Sequence, residues 1–235
     1  MGKIYSDISG MLLLDKPAGI TSFKVVNKIK KVLNAKKTGH CGTLDPCATG
    51  LLLVLIGKAT KSQNEFMKKD KVYTSSFVLG IVTDTGDLTG SVVCRKDIYD
   101  INIDKIREAA KCFVGEVSQI PPMYSALKYK GRKLYEFARC GIEIERKPRY
   151  ITINKFDIIS YSGGVVNVSV SCSSGTYIRS LAQDLGNALG CGAAVKTLRR
   201  EQIDKFYVKD ALKYKDYNDA DKITRKIIPL FEIEK

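Results

Sequence analysis

Strand-length apolar runs and helix-length amphipathic stretches are interspersed along this chain without a strict strand–helix–strand rhythm. That ordering constrains the fold more than any other feature. It predicts an α+β architecture with a central mixed, mostly antiparallel sheet flanked by helices. Strands are expected at 10–15, 51–56, 71–79 and 195–200, with a further pair at 151–159 and 165–172 joined by Ser162-Gly163-Gly164. Helices are expected from Thr21 or Ser22 to about Asn34, then over 58–67, 104–114, 132–139, and 175–189 closed by Gly190. In the first of these, Val25, Val26, Ile29, Val32 and Leu33 keep a helical period, and Lys24, Lys28, Lys30 and Lys31 occupy much of the remaining circumference. Residues 1–206 read as one domain and residues 207–235 as a short appendage packed on it. The longest apolar run, 51–56, falls well short of the ~18 residues of a membrane helix. The first seven residues lack a secretory core and fit a myristoylation pattern only loosely, so a cytoplasmic protein without a membrane partner is expected.

Charge narrows the partners. The 235 residues carry 39 Lys plus Arg against 25 Asp plus Glu, a net charge of +14, which favours RNA or DNA. Seven cysteines stand at 41, 47, 94, 112, 140, 172 and 191 with no CxxC pair, which reads as reduced thiols rather than a zinc knuckle or redox motif. The single histidine, His40, excludes an HExxH zinc site and any site needing two imidazoles. No GxSxG elbow accompanies it. Neither GxxxxGK[ST] nor GxGxxG is present to cradle a nucleotide cofactor, so no metal and no cofactor are expected.

Two clusters carry candidate chemistry. In the Gly-rich stretch 38–46, Pro46 pushes Asp45 into extended geometry, so its carboxylate can project from a loop beside the only imidazole. A satisfied Asx-turn with a buried histidine would look the same at this level. In 172–186, Arg179 occupies the first turn of a helix, where the macrodipole disfavours a cation and an anionic neighbour would offset the cost. Asp45 is one possible neighbour; a surface arginine is the plain alternative. Tyr177 and Ser180 are expected on one helical face, with Ile178, Leu181 and Leu185 as the packing stripe. Asp84-Thr85-Gly86 matches an aspartic-protease triplet, but Asp87 and Thr89 follow it where apolar strand residues belong. It fails the calcium-loop pattern as well, because Gly86 stands at a ligand position.

Taken in order, GMLLLDKPAGITS from Gly10, GHCGTLDPCATGLL from Gly39, Tyr73 with Leu79-Gly80 and TDTGD from Thr83, QIPPMYSALK from Gln119, SGTYIR from Ser174, and Leu198-Arg199-Arg200 resemble the TruB-type bacterial tRNA pseudouridine synthases. The resemblance implies the pseudouridine-synthase fold with RNA crossing a basic cleft, and conversion of uridine 55 in the T loop of tRNA. It implies Asp45 as the catalytic aspartate, Arg179 as its ion-pair partner and Tyr73 against the target base. Tyr177 and Leu198 would line the uracil pocket, and His40 would help displace the base from its stack. The reaction breaks the N1–C1′ bond, turns the uracil and rejoins it through C5, consuming neither water nor redox equivalents. One aspartate then suffices, as nucleophile or as base towards the ribose, whereas a glycosidase needs two carboxylates and admitted water. Lysines of the first helix and of 68–71 are candidate phosphate contacts. The expected partner is the T-arm stem-loop of tRNA, bound by a monomer.

Two departures from the pattern stand out. Many relatives carry a C-terminal PUA-type domain, for which residues 207–235 are too few, so a weaker grip on tRNA or a greater dependence on the catalytic cleft is expected. Glu201 to Asp204 replace the usual residues after Leu198-Arg199-Arg200, which leaves the local loop geometry open. The rival functions are a guide-RNA-dependent relative acting on another RNA and a tRNA-folding chaperone using the same cleft.

Overall fold

The computed structural model describes residues 7–233. The segment 1–6, most of the stretch read above for a leader, lies outside them. The chain begins with β1 (Gly10–Lys16), α1 (Ser22–Val32), β2 (Thr38–His40), β3 (Thr49–Ile56), α2 (Gln63–Lys68) and β4 (Lys71–Leu79). It continues with β5 (Ile81–Thr83), β6 (Val92–Arg95), α3 (Ile103–Lys111), β7 (Gly115–Gln119), β8 (Lys128–Tyr129), β9 (Arg132–Lys133) and α4 (Leu134–Ala138). Next come β10 (Arg149–Ser162), β11 (Val165–Cys172), α5 (Ile178–Ala188), β12 (Ala193–Ile203) and β13 (Phe206–Tyr207). The last elements are α6 (Ala220–Arg225), β14 (Ile228–Pro229) and α7 (Leu230–Ile233). Two compact units result, one from residues up to 73 together with those from 198 onward, the other from residues 74–197.

In the first unit the strands run β14-β1-β3-β12, with β2 also on β3 and β13 on β12. β1 and β3 are antiparallel from Gly10↔Ile56 to Lys16↔Gly50. β3 and β12 are parallel through Thr49↔Arg199 and Gly50↔Arg200, so the sheet is mixed. The unbroken apolar run of β3 has a simple cause: both of its faces are covered. Leu51, Leu53 and Leu55 pack with Met11, Leu13, Phe66 and Phe206. Leu52, Val54 and Ile56 pack with Leu12, Leu14 and the α1 residues Val25, Val26 and Ile29. Thr21 caps α1, its side chain accepting from the Lys24 N–H at 3.2 Å. Residues after 207 join this core. Leu212, Tyr217 and Ile223 are buried in it, the Leu212 N–H donates to Leu13 O, and the Tyr217 hydroxyl donates to Asp15 O.

In the second unit β4, β11, β10 and β7 follow one another. β10 is antiparallel to β11 on one side and to β7 on the other. The packing stripe of α5 is as expected, with Ile178, Leu181 and Leu185 all buried.

The α+β class with a mixed, mostly antiparallel sheet is observed; several boundaries differ. α5 starts at Ile178 because Tyr177 is its extended N-cap (φ −101°, ψ 109°), so Tyr177 and Ser180 do not share a helical face. The helix expected at 132–139 shortens to α4, because β8 and β9 form a small hairpin ahead of it. Thr38 to His40, read as loop, pairs with β3. β5, β6 and β7 lack the alternation that would announce them. Glu201 and Gln202 prolong β12 to Ile203, and the chain then turns at Asp204 (φ 50°) into β13. Departing from the family pattern there leaves the strand intact.

Candidate active site

Asp45 lies in the loop between β2 and β3, half-buried, in a segment whose backbone is fastened by three buried polar side chains of the first unit. The fully buried Lys16 ammonium, at the end of β1, donates to Pro46 O (3.2 Å), Ile20 O (2.8 Å) and Pro17 O (2.9 Å). Pro46 O also accepts from the Gly19 N–H at 2.8 Å. Ser22, the first residue of α1, accepts from the Leu44 N–H at 2.9 Å and donates to Leu44 O at 3.1 Å. Arg200 of β12, 1% exposed, donates through Nε to Leu51 O (2.7 Å) and through Nη2 to Gly42 O (3.0 Å). The residues flanking Asp45 are thus tied to β1, α1, β3 and β12. Burial pulls the Lys16 pKa down to about 8, while the charges of Cys47 and Asp45 favour its protonated form. At neutral pH it is therefore an ammonium. Gly50 sits where β3 meets β12 at φ +103°, and a Cβ there would lie 2.3 Å from Arg200 O.

Asp15, next to Lys16, anchors the same corner. Its carboxylate pairs with Arg199 through two contacts of 2.9 and 3.0 Å and with Lys213 at 2.9 Å. Burial opposes the charge, but these cations hold its carboxyl below the ordinary range.

His40 ends β2 opposite Val54, and its carbonyl accepts from Gln63 Nε2 at 2.9 Å. Its Nδ1 is buried with no hydrogen-bond partner among the described residues. Burial and the Arg200 charge lower its pKa, so the imidazole is neutral at pH 7. Tyr73 is buried in β4, and Leu198 is half-buried in β12, its carbonyl accepting from Thr49 Oγ1 at 3.5 Å. Burial pushes the Cys41 thiol up to about 12, too high for a nucleophile. The lysines divide. Lys24 and Lys31 are exposed, Lys28 sits over the Tyr214 ring at 4.8 Å, and Lys69 pairs with Glu65 and Asp204. Lys71 is buried and donates to Met67 O and Lys69 O, so it is no phosphate contact.

Arg179 and Tyr177 belong to the second unit. Arg179 is 4% exposed; its Nη1 donates to Thr85 O at 2.6 Å and its Nη2 to Tyr124 O at 2.7 Å. Its Nε lies 3.9 Å from the buried carboxylate of Asp87. An anion thus offsets the cation in the first turn of α5, as the macrodipole argument requires. Asp87 also accepts from the Thr89 N–H (3.0 Å), the Thr89 hydroxyl (2.5 Å) and the Thr85 hydroxyl (2.9 Å), which fixes the turn at 84–89. The turn weighed as a protease triplet is the Arg179 cradle. The Tyr177 backbone is held from both sides by Gln119, whose Oε1 accepts from its N–H at 2.8 Å and whose Nε2 donates to its carbonyl at 3.1 Å.

Sequence reading missed Lys16, Ser22, Arg200, Asp87 and Gln119 as parts of this machinery. Each lies within one of the matched motifs, so the motifs carried the signal. Residue type alone did not say which of them grip backbone. Among the described residues no three His, Cys, Asp or Glu side chains gather to hold a metal ion.

Solved structures share the architecture of this mixed, mostly antiparallel sheet. The chain superimposes on a chain of "Crystal Structure of a Cbf5-Nop10-Gar1 Complex" with a TM-score of 0.74 and 30% identity, covering 95% of this chain and 60% of that one. It superimposes on "Structure of H/ACA RNP bound to a substrate RNA containing 2'-deoxyuridine" with a TM-score of 0.69 and 28% identity, again over 95% and 60%. The chain therefore spans less than two thirds of these structures. A profile described as "TruB family pseudouridylate synthase (N terminal domain)" matches residues 30–178, and one described as "tRNA pseudouridylate synthase B C-terminal domain" matches 179–229. A tRNA pseudouridine synthase B of Endomicrobium trichonymphae is 66% identical over 230 residues, 98% of this chain and all of that protein. One from Bordetella avium is 48% identical over 201 residues, 85% of this chain and 82% of that protein. The chain belongs to the TruB family of pseudouridylate synthases, enzymes that isomerise uridine in RNA.

Proposed function

We propose that the chain converts uridine 55 in the T loop of tRNA to pseudouridine, acting as a cytoplasmic monomer on the T-arm stem-loop. The observation that supports this reading is the Asp45 loop, whose backbone is held by Lys16, Ser22 and Arg200. Asp45 is the catalytic residue. It assists cleavage of the N1–C1′ bond; uracil turns in its pocket, C5 bonds to C1′, the C5 proton leaves and N1 gains one, so the atoms balance. The family resemblance assigns Arg179 the task of keeping Asp45 ionised, by charge pairing in a desolvated pocket.

A uridine stacked in the T loop must first be everted, at a cost of ~a few kcal/mol. His40 suits the gap left behind, since a neutral imidazole brings no charge to desolvate. Tyr73 recovers part of the cost by stacking on the everted base, worth ~1–3 kcal/mol. The family resemblance assigns Tyr177 and Leu198 to the lining of the uracil pocket. Lys24 and Lys31 supply phosphate contacts. Residues 1–206 carry the catalysis, with 207–235 bracing β1 through Lys213 and Tyr217.

The test is pseudouridine mapping of tRNA from cells with and without this protein. A signal at position 55 that vanishes with the gene and returns with it is expected. A signal unchanged at 55, or lost from another RNA instead, would overturn the assignment.

A further inference from the structure

Within the second unit, the last residue of β7 holds the start of α5. Gln119 pairs through its backbone with Arg149 of β10, and it is buried, 4% exposed. Its amide Oε1 accepts from the Tyr177 N–H at 2.8 Å, and its Nε2 donates to the Tyr177 carbonyl at 3.1 Å. One side-chain amide thus meets both polar groups of one residue, as a neighbouring strand residue does in the closely spaced pair of an antiparallel ladder. An extended residue presents its N–H and C=O to the same side, so the clamp fits Tyr177 at φ −101°, ψ 109°. The Tyr177 side chain makes no capping bond to α5, while its carbonyl also accepts the first helical bond, from the Leu181 N–H at 3.0 Å. The neighbours of Tyr177 are held separately. Arg179 donates to Thr85 O and Tyr124 O, Ser180 Oγ donates to Ile120 O at 3.1 Å, and Ile178 is buried in the packing stripe. On the other side Thr176 Oγ1 donates to Ser173 O at 2.9 Å. Half-buried Tyr177 is therefore the residue whose direction the clamp decides.

We propose that Gln119 is a positioning residue of the reaction: by clamping the Tyr177 backbone it sets the direction in which the Tyr177 side chain leaves the chain, and with it the wall against which uracil turns. The inference rests on the reading above that Tyr177 lines the uracil pocket. A detached base has to turn without leaving, so the wall must be fixed as well as present, and a misplacement of ~1 Å costs about 10²-fold in rate. Without the clamp α5 can extend backwards by one residue, and a helical Tyr177 points its side chain elsewhere. The geometry also accounts for the residue type. A carboxylate has no donor for the Tyr177 carbonyl and an ammonium no acceptor for its N–H, whereas an amide has one of each. In a buried place either mismatch leaves a backbone group unpaired.

The test is single-turnover conversion of a T-arm minihelix at saturating enzyme, with minihelix binding measured on the same preparations and each variant assayed well below its Tm. Gln119→Met keeps the length of the side chain and removes both bonds. It should turn over ~10²-fold more slowly while binding within about threefold of wild type. Tyr177→Ala should be slow as well. The double variant should be slower than Tyr177→Ala by less than about twofold, because Gln119 acts through Tyr177. Gln119→Glu supplies a readout that lost stability alone does not move. Its protonated carboxyl presents C=O and O–H where the amide presents C=O and N–H, so both bonds re-form; ionised, it faces the Tyr177 carbonyl without a donor. Burial favours the protonated form, so turnover relative to wild type should rise towards unity as the pH is lowered from about 8 to about 5. The same ratio for Gln119→Met should stay flat. Normal turnover by Gln119→Met beside a slow Tyr177→Ala, losses that multiply in the double variant, or a Gln119→Glu ratio that is flat with pH would each overturn the positioning role and leave the pocket assignment standing. Normal turnover by Tyr177→Ala, or a minihelix that the wild type does not convert, would overturn the reading on which the inference rests, and the inference with it.

Discussion

Replacing Lys16 with Met tests whether a buried ammonium fastens the catalytic loop. Met matches lysine in length and girth, so the cavity left behind is small. What disappears is the donor to Pro46 O, Ile20 O and Pro17 O. Pro46 O keeps the Gly19 N–H. Of the other two carbonyls, each unsatisfied acceptor costs ~1–3 kcal/mol, and loss of the charge-assisted bond to Pro46 adds ~1–2 kcal/mol. Relief of the ammonium's own desolvation, a few kcal/mol, works the other way. The net is a loss of about 2–4 kcal/mol, or roughly 5–12 °C in Tm for a chain of this size. Calorimetry gives the Tm. Turnover on a T-arm minihelix, measured below that Tm, should fall by at least about tenfold, because a loop shift of ~1 Å at Asp45 suffices for such a loss. A variant that melts within 2 °C of wild type and turns over normally would refute the idea that this ammonium holds the loop.

Gly50→Ala should be at least as damaging. The φ of +103° and a Cβ 2.3 Å from Arg200 O add strain of ~2 kcal/mol or more, read as a large drop in Tm; an unchanged melt would contradict the β3–β12 geometry. Tyr73→Phe keeps the buried shape and should leave the Tm near wild type while cutting turnover about tenfold or more, and normal turnover would show the hydroxyl to be dispensable. Asp184 gives a pH signature. Its folded pKa of about 6 lies above the ordinary 3.8, so between those values the folded state holds a proton that the unfolded state has lost. Stability from this group therefore falls as pH rises through that window. The Tm of Asp184→Asn relative to wild type should climb from pH 4 to 6 and then level off; a flat difference would place the carboxyl in solvent.

The loop that carries Asp45 was legible, and its scaffolding was not. Gly42 and Pro46 restrict the backbone locally, and local restriction is what a sequence exposes. That Arg200 grips Gly42 O, 158 residues away, depends on the parallel pairing of β12 with β3, which no local pattern encodes. The macrodipole argument called for an anion near Arg179, and Asp87 is one, but it stood in a turn whose triplet resembled other chemistry. Among the elements, β3 and α1 were clear because both bury long apolar patterns. The short strands β5, β6 and β7 and the start of α5 were set by tertiary pairing and by an extended N-cap without a side-chain hydrogen bond.

The claim on which the rest depends is that the Asp45 carboxylate does the chemistry and does not merely shape its loop. Single-turnover conversion of a T-arm minihelix by Asp45→Asn, with minihelix binding measured on the same preparation, tests it most directly. Binding within about threefold of wild type and no detectable pseudouridine are expected, a loss of at least ~10⁴-fold for removal of a nucleophile or base. Conversion at a tenth of the wild-type rate or faster would contradict it.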